Sequence, residues 1–408
     1  MWNKILILIK RPYRKFINSI AFYPIIFTIV FLLVSYFSIA FDFSKEGREL
    51  KRELEWLGLR DAATARSIAS SIVAGLISLT VFSFSMVMIV LNQTASQMSN
   101  RILDSLIGSR FQQTVLGIYI GTIVYALFLL TMVVDSDNHS SVPILSTYFL
   151  MVLTIFDLFL FIYFLHYITQ SVKYKVIIER AYEKTWASMK KYCIMAKQAE
   201  TLPQPENGYL FYAPKSGLYL GFNEKALKKI GEELDCTFYF LQKGGTFILE
   251  GMPLISVNKE LSQPQSKNVL DSIYIHLSES IEENYLYGFK QLSEVAIKAL
   301  SPGINDPGTA VLSLRSLFQL LSFRLSHHPK QTFINTNNQL RIVTRDKTFE
   351  DIFSETVLPI WNYGKNDRTI QDELYSLLNQ FQTIYNPILL KGLFQEIKEK
   401  INERYLEP

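Results

Sequence analysis

The sequence predicts a membrane α-helical bundle of four transmembrane helices, followed by a cytoplasmic α+β domain. Three observations predict it: four long apolar runs within the first 170 residues, a cationic amino terminus, and a remainder of ordinary polar composition. An apolar helix needs about 20 residues to cross the hydrocarbon core of a bilayer. Each run is close to that length: Ile17–Phe41, Ile68–Leu91, Val115–Val134 and Ile144–Ile168.

The distribution of charge predicts the orientation of the spans. Residues 1–16 carry basic side chains and no acidic one, whereas the segment Asp135–Pro143 between the last two spans has no Lys or Arg. Basic residues beside a span stay on the cytoplasmic side. We therefore expect a multi-pass protein of the bacterial plasma (inner) membrane, with both termini cytoplasmic and the lipid bilayer as a partner.

A charged segment, Asp42–Arg66, joins the first two spans. Its basic residues lie on the side assigned to the exterior, which weakens the charge argument. Leu50, Leu54 and Leu57 recur at helical spacing and predict an amphipathic helix on the membrane surface. Because the first apolar run exceeds the ~7–15 residues typical of a cleaved signal peptide, we expect it to be a retained anchor.

The rest of the composition excludes several classes of function. Basic and acidic residues nearly balance, 41 against 37, which gives no indication of nucleic-acid binding. Cys193 and Cys236 do not make a disulfide framework, and the five His residues lack metal-ligand spacing. The sequence has no phosphate-binding loop, dinucleotide fingerprint or nucleophile elbow. We therefore expect no cofactor, no metal, no nucleic-acid partner and no enzymatic activity.

Polar side chains run along one face of the second span. A heptad repeat drifts by only ~20° per repeat on a helix, so residues seven apart share a face. The residues concerned are Ser71, Ser78, Ser85 and Asn92, followed at the cytoplasmic end by Gln93, Ser96 and Gln97. One hypothesis is that they pack against other helices in lipid. The other is that they face water and line a conduit.

Spans three and four carry residues that favour contacts inside the bundle. Gly117 and Gly121 are four apart, a spacing that lets membrane helices approach closely. Asp157 lies halfway along span four, and an intramembrane carboxylate normally faces the bundle interior or a wet cavity. There it would titrate, sense a cation or stay protonated against Thr154. His166 falls on the opposite helix face, so it is not a direct partner of Asp157 and instead caps the helix or reaches toward the membrane surface.

Composition divides the chain into four parts. They are a four-helix transmembrane domain (1–168), a helical stalk (169–202), a small β-rich module (203–275) and a mainly α-helical module (276–408). Span four is expected to continue as the stalk, because apolar residues persist at irregular 3–4 spacing until prolines end the helix.

The elements of the two cytoplasmic modules follow from the alternation of apolar residues and turn signals. Thr348 and Asp351 have the spacing of a capping box, which marks a helix start. We predict strands at Tyr209–Tyr212, Gly217–Gly221, Thr237–Leu241, Thr246–Leu249 and Leu254–Val257, a hairpin within Thr332–Thr344, and helices at Glu224–Leu234, 279–300, 307–326, 348–362, 369–384 and 388–403.

The sharpest local motif is Ala299–Ala310, Ala-Leu-Ser-Pro-Gly-Ile-Asn-Asp-Pro-Gly-Thr-Ala. Its Ser-Pro-Gly sequence ends one helix and turns the chain, and its Asp can cap the next helix with Pro at the first position. Because the turn precedes a helix N-terminus, where backbone amides favour anions, it is either a structural cap or a ligand site. The residues concerned are Ser301, Pro302, Asn305, Asp306 and Pro307.

This motif resembles a large bacterial family of predicted membrane proteins, domain of unknown function 2254, whose signature is Ala-Leu-Ser-Pro-x-Ile-Asn-Asp-Pro-x-Thr-Ala. The resemblance covers nearly the whole chain and implies a membrane bundle with a cytoplasmic domain, but no particular reaction. Gly308 and Met98–Asn100 depart from the family pattern. Further similar segments are Phe82–Ser85, Ala95–Gln97, Arg101–Leu103, Leu116–Leu127, Ser216–Tyr219, Phe289–Leu300 and Phe349–Gly364.

Two functions of different classes remain open. The first is an oligomeric channel for an ion or small solute, with a cytoplasmic regulatory domain. Since four spans make a small bundle, its conduit would form at the axis of a symmetric homo-oligomer. The alternative is a non-transporting scaffold or sensor that binds a ligand or partner through its cytoplasmic domain. A membrane enzyme is the weakest hypothesis, because no catalytic groups converge at recognisable spacing.

Overall fold

The computed structural model describes residues 21–53, 59, 61–97, 110–133, 142–195, 202–203, 208–276, 280–282, 284–385 and 390–406. The chain forms two compact units, Met1–Lys173 and Tyr174–Pro408, called here the N-terminal and C-terminal units. The cationic amino terminus, the middle of the first loop and the exit from the second span lie outside the described residues.

The described part of the N-terminal unit is helical. Its four long helices are long and apolar enough to cross a membrane, which confirms the number and approximate position of the predicted spans. A short polar helix follows the first of them, within the loop where a surface helix is predicted. The helices are α1 (Phe22–Asp42), α2 (Lys45–Glu53), α3 (Ala62–Gln97), α4 (Arg110–Met132) and α5 (Ile144–Ser171).

Close contact between α1 and α4 organises this bundle. Gly117 lies against the ring of Phe27, and Gly121 against the ring of Phe31. A Cβ atom on these glycines would come within 2.7 Å and 2.6 Å of the respective ring Cδ2 atoms, so glycine is what permits the approach. Helix α3 packs against both α4 and α5, and α4 also packs against α5.

The described part of the C-terminal unit combines helices with three sheets. Its helices are α6 (Tyr174–Tyr192), α7 (Glu224–Glu233), α8 (Gln263–Asp271), α9 (Tyr285–Ala299), α10 (Pro307–Ser326), α11 (Phe349–Gly364), α12 (Arg368–Tyr385) and α13 (Leu390–Leu406). Its strands are β1 (Cys193–Met195), β2 (Tyr209–Tyr212), β3 (Gly217–Phe222), β4 (Phe238–Lys243), β5 (Phe247–Ile248), β6 (Pro253–Val257), β7 (Ile273–His276), β8 (His327–Pro329), β9 (Thr332–Ile334) and β10 (Leu340–Arg345).

The largest sheet has the strand order β2-β6-β4-β10-β9. Strand β10 pairs with β4 in parallel, and the other neighbours are antiparallel. A second sheet has the order β5-β3-β7, and β1 pairs with β8. Buried residues of the two larger sheets contribute to one apolar core, which includes Phe238, Phe240, Leu254, Ile255, Val257 and Ile342.

Side-chain caps explain where several helices of this unit begin. Asn223 accepts a hydrogen bond from the Ala226 amide at the start of α7. Thr348 and Asp351 exchange side-chain and backbone hydrogen bonds at the start of α11, so the predicted capping box is present with Asp in the third position. Such caps satisfy amides that the first turn of a helix leaves without partners.

The predicted continuation of span four as one helix through residue 200 is wrong. Helix α5 ends at Ser171, α6 begins at Tyr174, and β1 follows directly at Cys193. Helix α6 packs against α9 and α10 and buries one face, so it belongs to the C-terminal unit and is not a free stalk. The irregular apolar spacing reflects this buried face.

The predicted separation into a β-rich and a helical module also needs correction. Strand β10 comes from the segment assigned to the helical module, yet it pairs with β4 of the other segment. The predicted strands and helices are found near their expected positions, and the hairpin is formed by β9 and β10. Helix α8 and strand β7 were not predicted, because the segment before residue 276 has weak periodicity.

Candidate functional site

The outer face of α3 carries the polar residues that the sequence singles out. Ser71, Ser78, Ser85, Asn92 and Gln93 are all exposed in the single chain. The hydroxyl of Ser78 donates to the carbonyl oxygen of Ala74 at 3.0 Å, and Ser85 donates to Val81 at 2.9 Å. These hydroxyl groups therefore bond within their own helix and do not tie α3 to another helix of the same chain. Ser96 and Gln97 belong to the last turn of α3.

The opposite side of α3 contributes Ser83 to a buried polar cluster. Its members, called here the Asp157 cluster, are Asp157 of α5, Tyr119 and Thr122 of α4, and Ser83. Their exposed fractions are 0% for the first three and 4% for Ser83. Tyr119 lies close to Asp157 and Ser83, and Thr122 lies beside Asp157. The cluster joins three of the four long helices.

Several polar atoms of the Asp157 cluster are buried without a partner. Within the described residues, neither carboxylate oxygen of Asp157, nor the hydroxyl oxygen of Tyr119 or Ser83, has a hydrogen-bond partner within 3.5 Å. Thr154 instead donates to the carbonyl oxygen of Leu150 at 2.8 Å. His166 is exposed, so it lies on another face of α5 from Asp157.

A second buried polar group lies at the end of α1. Asp42 is 0% exposed, forms an ion pair with Lys51, and accepts a hydrogen bond from the Ser146 amide at 2.7 Å. Tyr125 donates to the carbonyl oxygen of Ser146 at 3.1 Å and lies 2.9 Å from the hydroxyl of Ser38. In contrast to Asp157, Asp42 has a cationic partner, Lys51, and a backbone amide partner, Ser146. The signal in the sequence for this polar group was an acidic residue, Asp42, directly after the first apolar run.

The family motif forms a tight turn between α9 and α10. Both carboxylate oxygens of Asp306 accept hydrogen bonds from Thr309, one from its amide at 3.1 Å and one from its hydroxyl at 2.6 Å. Pro307 occupies the first turn of α10. Asn305 has a φ of 49°, a left-handed conformation that Asn tolerates better than most residues. The geometry of Asp306 is that of a helix cap.

Ser301 and Pro302 begin the same turn. The hydroxyl of Ser301 donates to the carbonyl oxygen of Lys298 at 2.6 Å, and its own carbonyl accepts the amides of Ile304 and Asn305, each at 2.9 Å. The Asp306 amide returns to the carbonyl of Ala299 at 2.8 Å. The polar groups of the turn are thus used internally.

Sequence reasoning missed a charged pair in the C-terminal unit, formed by the buried Arg324 and the partly buried Asp346. Arg324 is 2% exposed and donates to the carbonyl oxygen of Lys347 at 2.8 Å. Burial raises the pKa of Asp346 to about 6, while the nearby charge of Arg324 opposes the rise. Burial, followed by the charge of Asp346, also raises the pKa of Tyr285. Arg324 follows Leu317 and Leu321 at helical spacing, which is the signal that could have placed it on a buried face.

Metal and thiol chemistry find little support in the part of the chain that the structure describes. Within it, no group of three or more His, Cys, Asp or Glu side chains could hold a metal ion. Cys193 and Cys236 are free and buried. Burial raises the pKa of each thiol to about 11, so both are protonated near neutral pH.

Comparison with known proteins places the chain in a family. An uncharacterized protein of Mycobacterium bovis and one of Mycobacterium tuberculosis are each 23% identical over 259 residues, which is 60% of this chain and 50% of theirs. The chain thus spans about half the length of the curated relatives it matches. No solved structure matches it. The family model described as "Predicted membrane protein (DUF2254)" matches residues 17–380, and the chain belongs to that family.

Proposed function

We propose that this chain is one subunit of an oligomeric channel for an ion or small solute. The observation that carries the proposal is the polar face of α3, formed by Ser71, Ser78, Ser85 and Asn92, which is exposed on the outside of the single chain. Polar side chains of membrane helices face protein or water in preference to lipid. A neighbouring subunit or a column of water is therefore the favoured surrounding of this face.

The packing within one chain supports a conduit between subunits. Leu129, Leu150 and Phe164 fill the interior of the N-terminal unit, and each is at most 3% exposed. A closed homo-oligomer would bring α3 of every subunit to a common axis. The conduit would then be lined by serine hydroxyl groups along the span and by Asn92 and Gln93 at its inner mouth.

The proposed location is a bacterial inner membrane, with both termini and the C-terminal unit in the cytoplasm. The acid-free residues 1–16 and the Asp135–Pro143 segment without Lys or Arg support this orientation. The C-terminal unit would act as the regulatory domain. Its buried Arg324 and partly buried Asp346 provide a pair whose charge balance would change near pH 6.

Flux through reconstituted protein tests this proposal. Full-length protein in sealed liposomes should raise the flux of a small ion above that of empty liposomes. Ser78→Leu and Ser85→Leu should each lower it several-fold, because they replace a polar lining with larger apolar side chains. Ile77→Leu is the matched control, since Ile77 is 48% exposed on the same helix but about 100° away from Ser78. Absence of flux under every gating condition tried would contradict the proposal.

The alternative is a membrane-anchored sensor or scaffold that transports nothing. It is favoured by the size of the C-terminal unit and by the charged pair Arg324 and Asp346 within that unit. The family turn gives it less support as an anion site, because the Thr309 amide already donates to Asp306, whose carboxylate charge would repel an anion. This alternative predicts no flux, together with a ligand or partner that binds the C-terminal unit.

A further inference from the structure

The Asp157 cluster contains a buried carboxyl group for which the described residues supply no cationic partner. Asp157 is 0% exposed, and neither of its carboxylate oxygens has a hydrogen-bond partner among the residues that the structure describes. Leaving an ionised carboxylate unpaired in a bilayer-spanning bundle is strongly unfavourable. The bundle handles its other buried acid differently, because Asp42 is paired with Lys51 and accepts the Ser146 amide.

The polar side chains that surround Asp157 in the cluster all carry oxygen atoms. The hydroxyl oxygens of Ser83 and Tyr119 are buried and, like the carboxylate, without a partner in the described structure. Thr122 lies beside the carboxylate of Asp157. Its hydroxyl donates its hydrogen to the carbonyl oxygen of Ile118 at 3.2 Å, so the lone pairs of the hydroxyl oxygen are still available to a ligand. Three helices therefore contribute lone pairs to one place, and four of the oxygen atoms there lack a partner.

The chemistry of this set selects one class of ligand. Oxygen ligands suit hard cations, whereas transition metals prefer sites that include nitrogen or sulfur. Calcium takes about six to eight oxygen ligands and magnesium demands near-ideal octahedral geometry, whereas this cluster offers one carboxylate and three hydroxyl groups. One monovalent cation would make the cluster electrically neutral and would give the partnerless oxygens a common partner.

We propose that Asp157, Ser83, Tyr119 and Thr122 form a binding site for a monovalent alkali cation of the sodium class, inside the helix bundle of each subunit. This site is separate from the outer face of α3, so it does not depend on the proposed conduit between subunits. Occupation of the site would bind α3, α4 and α5 together through the cation. The bundle would then be more stable with the cation than without it.

Binding of radioactive sodium to purified full-length protein in detergent tests the proposal. The expected result is close to one sodium ion per chain, with binding abolished in Asp157→Asn. Ser83→Ala should weaken binding about 10-fold, whereas Ser70→Ala should leave it unchanged. Ser70 is the matched control, because it is an exposed serine of the same helix that belongs neither to the cluster nor to the proposed conduit lining.

Thermal unfolding keeps the test decisive if a variant binds poorly for structural reasons. Sodium chloride, compared with choline chloride at equal ionic strength, should raise the melting temperature of the wild type but not of Asp157→Asn. A wild type stabilised by acid but not by sodium would overturn the proposal in favour of a bound proton. Equal sodium binding by Ser83→Ala and Ser70→Ala would also overturn it. Neither measurement uses flux, so a failure here is distinct from a failure of the proposed channel.

Discussion

Single residues in the family turn show how a short motif fixes a helix start. Asp306 satisfies both the amide and the hydroxyl of Thr309, and Asn305 supplies the left-handed residue that lets the chain reverse direction. Pro307 then begins α10 without an amide hydrogen to leave unpaired. The sequence alone predicted this cap, because Asp before Pro at the start of an apolar run has a direct physical meaning. The left-handed φ of Asn305 was not predicted, since several turn types fit the same residues.

Replacing Asp306 tests the cap. Asp306→Ala should lower the free energy of unfolding by about 1 kcal/mol, because α10 loses the acceptor for its first amides. Asp306→Asn should retain most of the stability, since its side-chain oxygen can still accept the Thr309 amide. Denaturant unfolding of the full-length protein in detergent, followed by a helix signal, measures both. Equal stability of the alanine variant and the wild type would show that the turn has another role.

The raised pKa of the partly buried Asp346 carboxyl predicts a pH dependence of stability with a defined sign. Its pKa of about 6 in the folded protein exceeds the ordinary value of 3.8, so the folded state binds more protons than the unfolded state between these values. The contribution of Asp346 to stability is therefore full below about pH 4 and is lost as the pH rises to about 6. The side chain introduced by Asp346→Asn cannot ionise, so this variant should not lose stability over that pH range.

The size of the effect on the free energy of unfolding follows from the shift in the pKa of Asp346. Each pKa unit corresponds to about 1.4 kcal/mol, so Asp346→Asn should be more stable than the wild type by about 1 to 3 kcal/mol at pH 8. The two proteins should converge near pH 4. Unfolding curves of both proteins across this pH range make the comparison, and curves that stay parallel would remove Asp346 as the cause.

At the scale of elements, the contact between α1 and α4 depends on the absence of side chains at two glycines. Gly121→Ala would place a Cβ 2.6 Å from the Phe31 ring, whereas nothing lies within 4 Å of the corresponding position at Gly75 of α3. Alanine improves helix propensity by about 1 kcal/mol at either site. Overpacking should cost about 1 to 3 kcal/mol at Gly121 alone.

The comparison of the two alanine variants isolates the packing effect. Gly75→Ala should be as stable as the wild type or slightly more stable, and Gly121→Ala should melt at a lower temperature than Gly75→Ala. Thermal unfolding in the same detergent gives the difference directly. If both variants melted together, α1 and α4 would not be in the close contact described.

Elements with strong local signals were the predictable ones. The span helices follow from long apolar runs, and α10 and α11 follow from Pro307 and the Thr348–Asp351 box. The break between α5 and α6 was not predictable from Val172 and Lys173, since neither residue disfavours a helix strongly. The pairing of β10 with β4 joins strands about 100 residues apart, and local periodicity carries no information on such partners.

The candidate site also combines features with a local sequence signal and features that depend on packing between helices. The sequence identified Asp157 because a carboxylate in an apolar run is conspicuous, but it did not identify Ser83 or Tyr119 as its neighbours. A serine and a tyrosine are ordinary residues in a span, and only helix packing brings them to the carboxylate. The polar face of α3 was predicted from heptad spacing, yet its outward direction depends on which side of α3 contacts α4 and α5.

At the scale of the whole molecule, four helices that are long and apolar enough to cross a membrane are followed by a larger unit of helices and sheets. The bundle has an apolar core and a buried polar cluster within, and a polar face on the outside of α3. The central claim is that this outer face meets water in the assembled protein. A lipid-facing surface and a water-lined surface differ in one directly measurable property, which is access for a charged reagent.

Cysteine labelling in sealed proteoliposomes measures that access most directly. Ser78→Cys and Ser85→Cys should react with a membrane-impermeant, positively charged thiol reagent, because their positions would lie along a water-filled conduit. Phe84→Cys is the control, since Phe84 is 58% exposed on α3 but about 100° away from Ser85. The wild type serves as the blank, because both native cysteines are buried. Labelling at positions 78 and 85 but not at 84 is the predicted result, and equal protection of all three positions would contradict the account.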